Sequence, residues 1–260
     1  PEVETFKNYL DSTSLNKLIK NIKIRDVRVL NVPETELKRE LINKKFVSST
    51  RHGKYLFVKV NSKFLVLHFG MSGYLESYNN VKEEPAHSRI RFKFSDDTFL
   101  SYVSQRMFGR VDLCDSIENY IKKKKLGPDA LNMNYEEFLS TLKRRTTISK
   151  TFLMNQNIIA GIGNIYSDEI LYQSKINPKA RIHELEEKKM NDLFHNIKQI
   201  LKYGIEKKGN LETYSNKYLI PHRQKEDTCP NCNTQIERYE LSGRHGFFCP
   251  NCQKIDKKKD

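Results

Sequence analysis

The chain has 260 residues, a length that fits two modest domains with a small appendix better than one large core. Its 46 Lys and Arg exceed its 32 Asp and Glu, which gives a formal net charge of +14 and an isoelectric point near 9.4. This surplus favours a polyanionic partner, with nucleic acid as the first expectation and an anionic membrane surface as the competing one. No apolar run approaches a bilayer span and no charged-then-apolar leader is seen, so we expect a cytoplasmic protein.

The first half of the chain combines one helical segment with several short strands. Apolar spacing predicts a helix from Val3 to Ile19, which Asp11 to Ser14 could divide into two pieces. Asn21 to Leu30 alternates and predicts a strand. Further β-rich segments, separated by turn residues, are residues 55–60, 64–69, 90–94, 99–103 and 110–113. Such closely spaced strands are typical of an antiparallel sandwich or barrel, which we expect to end near residue 117.

The pattern becomes helical after Gly127-Pro128. Just before it, Lys122 to Lys125 form a basic run that we interpret as a solvated helix end contributing to the general positive field. Predicted helices cover residues 135–142, 150–155, 166–173 and 185–205. The last is long and amphipathic, and its apolar stripe predicts core packing. Residues 207–223 then form a connector into a C-terminal unit.

A glycine-rich turn lies within the segment from Met154 to Glu169. Gly161 and Gly163 interrupt a helix-compatible run and Asn164 follows directly, which predicts a helix, a tight turn and a second helix. Exposed N–H groups at the start of the second helix would suit a phosphate. An ordinary helix–helix turn is the alternative on glycine spacing alone. The flanking basic residues favour the phosphate site; they are Lys143, Arg144, Arg145 and Lys150.

Two cysteine pairs near the C-terminus have metal-ligand spacing. Cys229-Pro-Asn-Cys232 and Cys249-Pro-Asn-Cys252 are the two knuckles expected of a zinc ribbon that binds one structural Zn²⁺ through four thiolates. Disulfides are the alternative, and the expected reducing compartment disfavours them. Cys114 stands alone and is interpreted as a small buried apolar residue.

The chain opens with Pro1-Glu2, a secondary amine beside a carboxyl group if Pro1 is the free N-terminus. An α-amine has a pKa of roughly 7.7 to 8.0, so a useful fraction is neutral and can attack an electrophilic carbon to form an iminium. A neighbouring carboxylate can move the protons that such chemistry requires. By itself, however, proline at position 1 is only a tolerated start.

Several short motifs occur in a fixed order along the chain. They are Arg51-His52-Gly53-Lys54-Tyr55-Leu56, His68-Phe69-Gly70-Met71-Ser72-Gly73, Arg106-Met107-Phe108-Gly109, Gly163-Asn164-Ile165-Tyr166, and Arg244 ahead of the second cysteine pair. Together they resemble the formamidopyrimidine-DNA glycosylase and endonuclease VIII family of bifunctional DNA repair enzymes, over nearly the whole chain.

The resemblance implies an α+β multidomain fold with three parts. Residues 1–117 would form an N-terminal antiparallel β-sandwich that carries the catalytic residues. Residues 118–222 would form a helical domain with a helix-two-turn-helix motif, and residues 223–260 a β-hairpin zinc ribbon. Double-stranded damaged DNA would lie between domains of a monomer associated with the nucleoid.

The resemblance also implies roles for individual residues in a base excision repair glycosylase with AP lyase activity. Pro1 would attack C1′ of the damaged nucleotide, displace the oxidised base and leave a Schiff base, with Glu2 transferring protons. Lys54 would grip phosphate and serve β-elimination. Arg244, at the tip of the zinc hairpin, would bind phosphate and serve δ-elimination.

A further set of residues would bind the DNA. Met71, Arg106 and Phe108 match the side chains that fill the space left by an everted base; otherwise the two apolar residues would be core and the arginine a surface ion-pair partner. The neighbouring glycines favour exposed loop tips. The residues that match phosphate-contacting positions are His87, Arg145, Lys150 and Asn164. Phosphate contacts carry no sequence information, which suits a damage scanner.

The sequence departs from the family pattern in three places. Relatives begin Pro-Glu-x-Pro-Glu, and the distance from Pro1 to Lys54 fits the second proline, so either residues ahead of Pro1 exist or Pro1 has taken the catalytic role. Met107 replaces a common arginine and Ser104-Gln105 replaces an Asp-Pro, which leaves the opposite-base preference open. The segment from Gly209 to Arg223 is short, which leaves oxidised purines and oxidised pyrimidines both possible. A non-catalytic binder of damaged DNA with the same fold is the rival function.

Overall fold

The computed structural model describes residues 1–143, 145–224, 226–241 and 243–255. It divides into two compact units, one of residues 2–125 and one that groups Pro1 with the residues from 126 onward. No helix within these described ranges is long and apolar enough to cross a membrane.

The first unit is an antiparallel β-sandwich with three helices. The helices are α1 (Glu2–Ser14), α2 (Glu34–Leu41) and α3 (Ile117–Lys123). The strands are β1 (Ile19–Ile24), β2 (Ser48–His52), β3 (Tyr55–Val60), β4 (Lys63–His68), β5 (Tyr74–Tyr78), β6 (Ser88–Phe94), β7 (Phe99–Val103) and β8 (Arg110–Cys114). Two four-stranded sheets result, with strand orders β1-β6-β7-β5 and β2-β3-β4-β8. The predicted β-sandwich is confirmed.

Alternation along the strands explains the core of this unit. In β6, Ile90, Phe92 and Phe94 are buried while the residues between them are half-buried. Leu56 and Leu67 enter the same apolar cluster from the other sheet. Burial of one such side chain contributes about 2 kcal/mol, so the clustered residues supply the main driving force for folding.

Some elements of the first unit differ from the expectation. Residues 27–29 form a 3₁₀ turn and not a strand, because the Asp26 carboxylate accepts the Arg28 backbone N–H and caps the turn. The helix α1 continues through Asp11 to Ser14 without a break. The strands β2 and β5, and the helix α2, were not predicted. Both strands lie at sheet edges, where polar side chains are tolerated and weaken the alternation.

The described part of the second unit contains four α-helices and one hairpin. The helices are α4 (Tyr135–Leu142), α5 (Ser149–Met154), α6 (Asn164–Gln173) and α7 (Glu187–Glu206), and the hairpin strands are β9 (Glu237–Leu241) and β10 (Arg244–Phe248). The stripe on α7 is core, as predicted, with Leu193, Ile197 and Leu201 buried. The four predicted helices lie within two residues of their expected bounds.

Candidate functional site

The predicted helix, glycine turn and second helix are present, and α6 begins at Asn164, two residues before its expected start. Gly161 has a φ of +113°, a conformation that favours glycine. The Gln156 side chain clamps the turn, because it donates to the Met154 and Ile162 carbonyls and accepts the Gly161 N–H at 2.9 Å. The first turn of α6 has neither a side-chain cap nor an acidic residue. Its N–H groups and the helix dipole therefore suit an anion.

Lys150, which was predicted to contact a phosphate, is enclosed by protein groups. It is only 1% exposed, and its ammonium donates to Asp168 Oδ1 at 2.6 Å and to the Asn164 carbonyl at 2.8 Å. Burial lowers the pKa of Lys150 to about 8, although the Asp168 carboxylate opposes this shift. The ammonium is thus directed at two protein acceptors, and a phosphate contact by Lys150 stays a prediction.

The other predicted phosphate contacts in the second unit are more accessible. Arg145 is exposed and its guanidinium donates to the Thr141 carbonyl at 3.2 Å. Arg144 lies outside the described residues. Asn164 is half-buried, and its side-chain amide donates to the His245 carbonyl on β10 at 2.8 Å. The side chain of Asn164 thus links the glycine turn to the hairpin.

The four paired cysteines form a site for one structural zinc ion. Their sulfur atoms all lie within 4.8 Å of one another. Cys229 and Cys252 sulfurs are 3.8 Å apart, and those of Cys232 and Cys249 are 3.5 Å apart. Four thiolates at about 2.3 Å from a tetrahedral zinc would be roughly 3.8 Å from one another, so the site fits the ion. With four protein ligands it has no open position, which indicates a structural role.

Arg244 begins β10 at the tip of the hairpin. It is exposed, next to Gly243, which has a φ of +70°. The arginine contributes to lowering the pKa of Lys150, which places its charge near the buried ammonium. An exposed guanidinium at the end of a zinc-braced hairpin is suited to hold a phosphate.

Met71 and Phe108 are exposed apolar side chains, 72% and 53% accessible, at two adjoining loop tips of the first unit. The two tips approach each other closely at Gly70, which has a φ of +64°. A Cβ on this residue would lie only 2.6 Å from the Phe108 carbonyl carbon. Arg106 is exposed and its guanidinium lies 5.3 Å from the centre of the Phe108 ring. The three residues are thus brought together outside the core, and the alternative of core packing for the two apolar residues is wrong.

His68, at the base of the same loops, was not predicted as a site residue. Burial lowers its pKa to about 4, with further lowering by Lys54, Arg110 and Lys124. Its Nδ1 accepts the Gly70 backbone N–H at 3.3 Å, so the neutral ring carries its proton on Nε2. The only sequence signal was its place in the His-Phe-Gly-Met motif. Lys54 is half-buried and belongs to this positive cluster.

His87, Pro1 and Glu2 complete the predicted set. His87 is exposed with a φ of +62°, and its carbonyl accepts the Ser104 N–H at 3.1 Å. Pro1 is half-buried, and a Cβ on Gly204 would lie 2.7 Å from its ring. Glu2 is exposed in the first turn of α1.

Three family models match consecutive parts of the chain. The formamidopyrimidine-DNA glycosylase N-terminal domain matches residues 1–111, and the H2TH domain of the same enzyme matches residues 126–215. The zinc finger found in FPG and IleRS matches residues 226–255.

Whole-chain comparisons agree with these matches. Formamidopyrimidine-DNA glycosylase of Mycoplasma genitalium is 34% identical over 273 residues, covering 99% of this chain and 96% of that protein. The enzyme of Ligilactobacillus salivarius is 33% identical, covering 98% of each.

Solved structures give the same result. Lactococcus lactis Fpg bound to DNA with an abasic site is similar at a TM-score of 0.88 and 28% identity, covering 98% of each chain. The Lactococcus lactis enzyme bound to DNA containing Fapy-dG has a TM-score of 0.87 and 28% identity, covering 98% of this chain and 99% of that one. The chain therefore belongs to the formamidopyrimidine-DNA glycosylase family of base excision repair enzymes.

Proposed function

We propose that this DNA glycosylase removes oxidised bases from double-stranded DNA and then cuts the abasic strand by β,δ-elimination. The N-terminal proline amine attacks C1′ and the bond from C1′ to the base breaks. Cleavage of the C1′–O4′ bond then opens the sugar ring and leaves an iminium. Loss of a C2′ proton then expels the 3′ phosphate, and a second elimination expels the 5′ phosphate. Glu2 transfers protons in these steps, Lys54 serves the first elimination, and Arg244 serves the second.

The main support for this proposal is the exposure of the apolar side chains of Met71 and Phe108. Eversion of a base costs a few kcal/mol of stacking and pairing, and apolar side chains inserted into the vacated space offset part of it. We propose that Arg106, whose guanidinium lies over the Phe108 ring, faces the orphan base. A folded monomer gains nothing from holding two apolar side chains in water, which favours a use in binding.

Several groups support a phosphate-dominated mode of binding. They are the N-terminus of α6, the neutral His68 with a donating Nε2, and the exposed residues His87, Arg145 and Arg244. We propose that Lys54 joins them. Because these groups read the backbone and not the base edges, the enzyme would scan DNA without sequence preference.

We propose formamidopyrimidine-type oxidised purines as the first substrate class. The related Lactococcus lactis enzyme was solved with DNA containing Fapy-dG. The short segment from Gly209 to Arg223 keeps oxidised pyrimidines as the second class to assay. We further propose that the enzyme acts as a nucleoid-associated monomer in the cytoplasm, with functional domains at residues 1–117, 118–222 and 223–260.

The exposed apolar side chains of Met71 and Phe108 are called the wedge, and their role is tested with the variants Met71→Ala and Phe108→Ala. Val27→Ala is the control, because Val27 is also exposed, at 57%, in the same unit. Single-turnover excision of a formamidopyrimidine should slow by roughly 10- to 100-fold in each wedge variant, since a few kcal/mol of eversion energy is no longer offset. Cleavage of a preformed abasic site should change less. Equal rates for the wedge variants and the control would contradict the assignment.

A further inference from the structure

Asp168, on α6, is a buried carboxylate that no step of the proposed reaction uses. It is 1% exposed. Its Oδ1 accepts Lys150 Nζ at 2.6 Å and Tyr239 Oη at 2.9 Å. Its Oδ2 accepts Arg223 Nη2 at 2.9 Å and the Phe247 backbone N–H at 3.3 Å. An ionised carboxylate accepts about four hydrogen bonds, so Asp168 has as many donors as its two oxygens can accept.

These donors come from different parts of the second unit. Lys150 belongs to α5, Arg223 to the connector, Tyr239 to β9 and Phe247 to β10. One carboxylate therefore joins the helix of the glycine turn to both strands of the zinc hairpin. Removing such an acceptor would leave the buried Lys150 and the largely buried Arg223 without their counter-charge, which is strongly destabilising.

Asp168 is the central member of a series along one face of α6. Asn164, Asp168 and Tyr172 are four residues apart, so they lie above one another on the helix. Asn164 donates to the His245 carbonyl at 2.8 Å near the hairpin tip. At the other end, Tyr172 Oη lies 3.2 Å from Cys229 Sγ. With zinc bound, Cys229 is a thiolate, so the tyrosine is the donor.

The hairpin needs such an anchor. A two-stranded hairpin is marginally stable by itself in water, and the zinc ion fixes only its base. Arg244 stands at the opposite end, where small rotations of the hairpin produce large displacements of the guanidinium. The α6 face contacts the hairpin at its tip, its middle and its metal site.

We propose that this α6 face, with Asp168 at its centre, positions the zinc hairpin so that Arg244 is held at a fixed place relative to the N-terminus of α6. Asp168 is a positioning residue, because it acts through the hairpin and touches no substrate. The consequence for Arg244 in δ-elimination rests on the proposed function, whereas the anchoring of the hairpin does not.

The test compares Asp168→Asn and Tyr239→Phe with the wild type and with a control, Tyr135→Phe. Tyr135 packs its ring on Phe194 in the same unit, at a centroid distance of 5.2 Å, away from the α6 face. Tyr239→Phe removes one hydrogen bond and keeps the ring, so it remains informative if Asp168→Asn fails to fold. Amide hydrogen exchange at Phe247 and in β9 and β10 measures how firmly the hairpin is held. The ratio of β to β,δ products on abasic DNA measures the contribution of Arg244 to δ-elimination.

Tyr239→Phe should raise exchange in the hairpin by roughly tenfold and Asp168→Asn by roughly a hundredfold, because hydrogen bonds to a charged group are lost. Product should shift from β,δ towards β alone while borohydride trapping is retained. Unchanged exchange in both variants would overturn the anchor. A variant could instead lose trapping and both eliminations equally, with hydrogen exchange raised throughout residues 126–224. That result would show a general structural role for Asp168 and would also overturn the proposed positioning role. Absence of trapping in the wild type would refute the proposed function, and hairpin exchange would still decide the anchor.

Discussion

The neutral state of His68 leads to a prediction about pH and stability. The folded state holds the pKa of this imidazole near 4, below its ordinary value of 6.5, chiefly through burial and then through the charges of Lys54, Arg110 and Lys124. Between these two values the unfolded chain binds the proton and the folded chain does not. The free energy of unfolding therefore rises with pH across this window. The stabilisation that comes from the neutral His68 is fully present above about pH 6.5 and is lost as the pH falls towards 4.

The magnitude follows from the gap between the two pKa values. Each pKa unit corresponds to about 1.4 kcal/mol, so acidification from pH 6.5 to 4 should cost about 3 kcal/mol through His68. Zinc release and other groups also respond to acid, so the useful quantity is the difference between the wild type and His68→Gln. Glutamine is close to histidine in size and polarity but does not titrate.

The assay is urea unfolding of both proteins at several pH values between 4 and 7.5. The pH slope should be smaller in His68→Gln, and an NMR titration of the His68 ring should give a midpoint well below 6. A midpoint near 6.5, or identical slopes for the two proteins, would refute the reasoning about this cluster.

Three further predictions concern the loop tips, the metal and the ionic character of binding. Gly70→Ala should lower the free energy of unfolding by about 2 kcal/mol or more, because φ is +64° and the added Cβ would meet the Phe108 backbone. Gly243→Ala, where φ is +70° and nothing lies within 4 Å of the added Cβ, should cost less, and equal costs in urea unfolding would contradict the steric part. Removal of zinc with a chelator should raise hydrogen exchange in β9 and β10 and abolish DNA binding, since the four thiolates brace the hairpin; undiminished binding after confirmed metal loss would count against this. Affinity for abasic DNA should fall at least tenfold between roughly 50 and 200 mM salt, measured by fluorescence anisotropy, and a flat response would exclude phosphate-dominated binding.

The sequence predicted those parts of the fold in which the apolar pattern is strong. The stripe on α7 and the alternation in β6 come directly from burial on one face, and both were predicted close to their observed bounds. Edge strands gave a weaker signal: Ser48–His52 has mostly polar residues because one edge of β2 is not covered by another strand. The segment from Val27 alternates like a strand, but a local Asp26 cap decides its conformation.

Some side chains of the candidate site could also be predicted from the sequence, whereas others could not. The cysteine spacing predicted the metal site because four ligands in two pairs have few other uses. Exposure of Met71 and Phe108 was predicted from neighbouring glycines. The burial of Lys150 could not be predicted from the sequence, because its partner Asp168 is distant in sequence and becomes its neighbour only when α5 packs on α6.

The most direct test of the central claim is borohydride trapping on a duplex that carries one abasic site, followed by mass mapping of the cross-linked peptide. We expect a covalent adduct on the N-terminal proline amine, and we expect Arg244→Ala to retain it because the iminium forms before δ-elimination. An adduct at Pro1 would identify it as the nucleophile, and an adduct on a residue ahead of Pro1 would assign the same chemistry to a longer N-terminus. DNA binding without any adduct would contradict the proposed lyase chemistry and would identify the protein as a non-catalytic binder of damaged DNA.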